Sequence, residues 1–189
     1  CLLMGDIEAL KRSNTGWLIA DLVPDTWAFT WERTRVDDRL LALLDDPQWQ
    51  PFVVFPGDLV APPRVVTDRV DGDALARSDR RPLFVLLDGT WPEARKMFNK
   101  SPYLARFPVL SLHPGTASSY RLRRSNREDH FCTAEVAALC LALSGEPRAG
   151  QLLAAWLAQM DEGDVLMCHP ASHIMREDTL GAQRAAEYR

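Results

Sequence analysis

The sequence predicts an α/β fold built on a mostly parallel sheet flanked by helices. Short apolar runs rich in β-branched and aromatic residues, PFVVF (51–55), PLFVLL (82–87) and FPVLSL (107–112), read as buried strands. Longer stretches that read as helices, VDDRLLALLDD from Val36 and TAEVAALCLALS from Thr133, alternate with or follow them. That alternation is what parallel strands joined by crossover helices require.

The elements follow in order. CLLM, from Cys1, is the end of a buried strand. Ser13, Asn14 and Thr15 are N-cap candidates for a short helix that Pro24 ends. WAFTW, Trp27 to Trp31, alternates large and small residues as a strand does. The next helix is capped near Asp37, and PFVVF is followed by a PGD turn. Residues 59–81, with Pro62, Pro63 and many charges, read as an irregular connection holding one short helix near Asp73. PLFVLL is the clearest buried strand, and FPVLSL ends at His113 and Pro114. A loop, GTASSYRLRRSNREDHF, leads to a helix from Thr133 to Ser144 that Gly145 stops. A further helix covers about Arg148 to Met160, and the polar tail is helical near its end. No internal repeat is present.

The 189 residues suit one domain with a real core, and 47% apolar with 25% charged residues is ordinary for a globular protein. A net charge of −4 argues against a protein that coats nucleic acid non-specifically, though it leaves room for a local basic groove. Cys1, Cys132, Cys140 and Cys168 form no CxxC pair and read as reduced thiols, which points to the cytoplasm. The longest apolar run, Val136 to Leu143, is too short to span a bilayer, and no signal peptide is visible.

Three constellations carry candidate chemistry. In LLDGTWPEARKM, Thr90, Pro92 and Glu93 fit a helix capping box, which explains them without invoking function. The box does not explain Asp88, a carboxylate at the rim of a sheet whose strand ends face ligands. Trp91 is either a packing aromatic or a stacking platform. In SSYRLRRSNRE, Arg121, Arg123, Arg124 and Arg127 beside Tyr120 suit an anionic ligand, or else form a solvated loop. In HFCTAEVAAL, Thr133 at a helix start offers a hydroxyl and backbone N–H groups to an anion, with Glu135 in the first turn. Cys168, His169 and His173 have only partial zinc-ligand spacing and read as surface residues, so no metal is expected.

Taken together, these blocks resemble the DTW-domain family. Its Asp-x-Thr-Trp signature is matched by Asp88, Gly89, Thr90 and Trp91, its later blocks by SYRLRR and CTAEVAAL, and its N-terminal block by LKRSNTGWLIADLVPDT. The resemblance covers nearly the whole chain. It implies a tRNA-uridine aminocarboxypropyltransferase, related to the ribosomal RNA aminocarboxypropyltransferases. The implied fold is a single SPOUT-like domain over residues 1–189 with a C-terminal trefoil knot. S-adenosylmethionine (SAM) is the implied co-substrate and tRNA the partner, with no membrane. A cysteine-rich zinc-binding segment common in the family is absent or trimmed before Cys1, and Gly5 stands after LLM where a histidine is expected.

The implied reaction carries the 3-amino-3-carboxypropyl arm of SAM to N3 of a uridine and leaves methylthioadenosine. It assigns Asp88 to the arm's ammonium or to the N3 proton, with Thr90 and Trp91 beside it. Leu110, Ser111 and Leu112 would wall the adenine, and Arg121, Cys132, Thr133 and Glu135 would complete the SAM site. Asn14, Thr15, Arg95, Lys96, Arg123 and Arg124 would meet RNA. The rival readings are an RNA methyltransferase on the same fold, a silent SAM- or RNA-binding module, and a hydrolase using Cys132 or Cys168.

Overall fold

In the computed structural model, residues 1–11, 14–112 and 131–161 are described. The strands are β1 (Leu2–Met4), β2 (Ala28–Thr30), β3 (Trp49–Val54), β4 (Val66–Thr67), β5 (Arg81–Asp88) and β6 (Val109–Leu110). The helices are α1 (Gly16–Leu22), α2 (Asp38–Asp45), α3 (Gly72–Arg77), α4 (Trp91–Lys100), α5 (Thr133–Leu143) and α6 (Pro147–Asp161). The strands form one sheet of order β2-β1-β5-β3-β6-β4, and every pairing is parallel. All carboxyl ends therefore lie along one edge, and every bond of the ladder brings that edge into register: Met4 pairs with Thr30 and with Asp88.

Successive side chains of a strand point to opposite faces. Leu83, Val85 and Leu87 pack with Leu40, Leu43 and Leu44 of α2 and Met97 of α4. Phe84 and Leu86 pack on the other face with Trp17, Leu18 and Ile19 of α1, Ala134 and Ala137 of α5, and Leu153 and Leu157 of α6. Asp88 continues this second series, so the strand's own alternation turns it toward α1 and α5. No helix among the described residues is long and apolar enough to cross a membrane.

Local chemistry sets the helix ends. Asp37 caps α2, its carboxylate accepting from Arg39 N at 2.8 Å. Asp71 does the same for α3 by accepting from Ala74 N. Gly145, at φ 87°, takes the left-handed conformation just beyond α5.

Two expectations need correction. The segment read as irregular contains β4, a two-residue edge strand with an exposed Val66, whose pairing with β6 no local pattern announces. The FPVLSL strand shrinks to Val109–Leu110, although Ser111 N still donates to Thr67 O at 2.8 Å. The PGD turn is a 3-10 turn, Gly57–Leu59. His113, the arginine loop and the tail lie outside the described residues.

Candidate functional site

At the carboxyl end of β5 the chain draws two helix starts onto one carboxylate. Asp88 is fully buried. Its Oδ2 accepts from Asn14 Nδ2 at 2.7 Å, and its Oδ1 accepts from Thr133 Oγ1 at 2.5 Å. The Asn14 amide is itself oriented, because its Oδ1 accepts from Gly16 N at 2.8 Å and Trp17 N at 3.2 Å. Thr15 Oγ1 accepts from Ala134 N at 3.2 Å, tying α1 directly to α5. A Cβ on Gly16 would lie 2.6 Å from Asp88 Oδ2, so only glycine lets α1 start this close.

Burial pushes the Asp88 carboxyl above its ordinary value, and the bonds from Thr133 and Asn14 oppose that rise. The carboxylate is thus a protein-bound hub rather than the rim charge the sequence suggests. Asn14 and Thr15, expected to meet RNA, are fully buried. The start of α5, expected to receive an anion, is closed by protein groups: Thr133 serves Asp88, Ala134 N serves Thr15, and Cys132 N donates to Glu135 Oε2 at 2.8 Å. Burial pushes the Cys132 thiol up to about 12 and the Cys140 thiol likewise to about 12, which removes both as thiolate nucleophiles at neutral pH.

On the other face, α4 begins with the predicted capping box. Thr90 N donates to Glu93 Oε2 at 2.7 Å, and Thr90 Oγ1 donates to the same oxygen at 2.5 Å. Those bonds, chiefly the hydroxyl's, hold the Glu93 carboxyl below its ordinary value. Trp91 stacks on Phe55 at 5.5 Å and 8°, and Phe55 stacks on Phe98 at 4.0 Å. Arg95 and Lys96 are exposed, with the Lys96 ammonium 5.5 Å from the centre of the Trp31 ring.

Two clefts open along the carboxyl edge. One of about 490 Å³ lies beyond β3, β4 and β6, where Gly57, Asp58, Thr67, Asp68, Arg69 and Ser111 meet. Gly57 N donates to Ser111 Oγ at 2.9 Å, and a Cβ on Gly57 would meet Val66 Cγ1 at 2.7 Å. Of the expected adenine wall, Ser111 lines this cleft, Leu110 is fully buried behind it and Leu112 is half-buried. The second, of about 300 Å³, lies beyond β1 and β2 against α4, between Gly5, Trp31 and Glu93. Asp88 and Trp91 line neither.

Residues 1–163 match the DTW domain. The chain belongs to the DTW-domain family. Over 70 residues this DTW-domain chain is 40% identical to tRNA-uridine aminocarboxypropyltransferase 2 of Drosophila melanogaster. The match covers 36% of this chain and 28% of that relative, so the chain spans well under half of the relative's length. No solved structure matches.

Sequence reasoning missed several residues of the DTW domain's edge. Asp58, Asp68 and Arg69 sit in turns beyond short strands, and PGD directly after PFVVF was the available signal. Glu8 is fully buried and pairs with Lys11 Nζ at 2.5 Å; nothing in EALK marks it. Arg121, Arg123 and Arg124, and Cys168 with His169 and His173, lie outside the described residues.

Proposed function

We propose that this chain transfers the 3-amino-3-carboxypropyl group of SAM to N3 of a uridine in tRNA and releases methylthioadenosine. The observation that carries the reading is the DTW-domain match over residues 1–163, together with the identity to a relative named for that reaction. The edge geometry is compatible with it. A group transfer between two ligands needs room for both at one edge, and the parallel sheet offers clefts of about 490 and 300 Å³ along its carboxyl edge.

The larger cleft suits SAM. Asp58 and Asp68 can meet ribose hydroxyls or the arm's ammonium, and Arg69 its carboxylate. Ser111, with Leu110 and Leu112 behind it, suits the adenine side. SAM supplies a sulfonium whose attached carbons are open to attack. Asp88, Asn14, Thr15 and Thr133 hold the starts of α1 and α5 in place, with Cys132 and Glu135 closing the latter. Thr90 fixes the start of α4, and Trp91 stacks on Phe55 beside it. Arg95, Lys96, Arg123 and Arg124 hold RNA phosphates. The SPOUT-like fold with its knot, and action in the cytoplasm, belong to the same proposal.

The test is direct. Incubation with SAM and unmodified tRNA should yield methylthioadenosine and a tRNA heavier by one aminocarboxypropyl group, both read by mass spectrometry. S-adenosylhomocysteine with a methylated tRNA would instead establish the methyltransferase reading.

A further inference from the structure

We propose that the cleft between Gly5, Trp31 and Glu93 receives the target uracil, and that Glu93 is the catalytic base that takes its N3 proton. This rests on the transferase reading above and names the acceptor side of that reaction.

The two oxygens of Glu93 do different things. Oε2 accepts both bonds from Thr90, which fixes the carboxylate plane. Glu93 lines the cleft, and its Oε1 lies 3.7 Å from where a Cβ on Gly5, another lining residue, would stand. The floor is Gly5 and the Met97 methyl, and the Trp31 indole forms a wall. That indole is pinned, since its Nε1 donates to the buried Ser101 Oγ at 2.8 Å. The cleft is mixed in character, with Asp6, Glu32, Arg33, Glu93 and Lys96 beside the apolar Trp31 and Met97, and Glu93 is the carboxylate there that two bonds from Thr90 hold, an acceptor suited to a base that presents an N–H on its pairing edge. Uracil does so at N3; cytosine and adenine present bare ring nitrogens there and would meet the carboxylate lone pairs unfavourably. Arg33 and Lys96 at the rim suit the flanking phosphates.

The step balances. The N3 proton passes to Glu93 Oε1. The N3 pair bonds to the γ-carbon of the arm as that carbon's bond to sulfur breaks, and the released pair neutralises the sulfonium to a thioether. Glu93 then loses its proton to water. The bonds from Thr90 favour the ionised, proton-accepting form of Glu93 and also make it a weaker base, so the proton leaves N3 in concert with the new bond to the γ-carbon rather than ahead of it. The charges around it come from every neighbouring element: Asp6, Glu8 and Lys11 beyond β1, Glu32 and Arg33 beyond β2, Asp88 ending β5, and Lys96 on α4.

Glu93→Gln separates the roles, because glutamine also closes a capping box but carries no charge. With SAM and unmodified tRNA at neutral pH, the variant should release methylthioadenosine about 100-fold more slowly than the parent. The deficit should shrink as pH rises, because alkali removes the N3 proton without help. A merely weakened helix start would give a loss independent of pH. Equal rates for variant and parent, or a constant deficit across pH, would remove Glu93 from the chemistry while leaving the transferase intact. A parent that releases no methylthioadenosine would overturn the reaction and this role with it.

Discussion

The carboxyl of Asp88 holds its proton at pH values where an unfolded chain has released it, because burial raises it above 3.8. Its contribution to stability is therefore fully present below the unfolded value and is lost as pH rises through the folded one. Asp88→Asn keeps the shape without the charge. Melts of parent and variant at a series of pH values from 3.8 upward should diverge, the parent losing ground to the variant as pH rises. Melting curves that stay parallel would show that Asp88 does not titrate in this window. The same variant should slow transfer about 100-fold, since a small displacement of a positioning group costs that much. That Asp88 matters was legible, because a charge directly after PLFVLL has no structural excuse. Its burial was half legible: alternation along β5 puts residues 84, 86 and 88 on one face. Its partners were not. Asn14 lies 74 residues away and Thr133 lies 45 away, and no local pattern reports such a meeting.

Among the elements, α1 depends most on a single residue. Its first turn is pressed against β5, with the Gly16 position 2.6 Å from Asp88 Oδ2 and 3.1 Å from Asn14 Oδ1 once a Cβ is added. Those atoms are held by hydrogen bonds and cannot yield freely. Gly16→Ala should therefore destabilise the chain by about 1–3 kcal/mol, read from urea unfolding. An unchanged midpoint would mean that α1 shifts at no cost. The capping box of α4 and the helical period of α2 were legible because their causes lie within one turn. β4 was not legible, because two residues beside Pro62 and Pro63 become a strand only by pairing with β6. Glu93 was legible as a cap; the direction of its second oxygen depends on where β1 ends, which is a tertiary fact.

For the whole molecule, α5 and α6 belong to the same core as the sheet face carrying Asp88. Leu153 of α6 is fully buried in it. Leu153→Ala should cost about 2–5 kcal/mol and lower the single unfolding transition as a unit. A separate early loss of helical signal would show α6 melting on its own. The fold class was legible at this scale from the alternation of elements, whereas strand order was not, since it is decided by faces meeting across the chain. The hub that joins β5 to α1 and α5 carries one more consequence, for the order of assembly. The bond from Ala134 N to Thr15 Oγ1 spans 119 residues, longer than any other that holds the hub. Such closures are slow to form, because loop entropy must be spent before contacts reward it. A chain emerging from the ribosome has β1, β5 and the clefts' outer walls well before Thr133 and Ala134 arrive. Until then Asp88 lacks its Thr133 hydroxyl and α1 lacks its tie to α5, so the hub beneath the ligand edge is completed only once α5 has emerged.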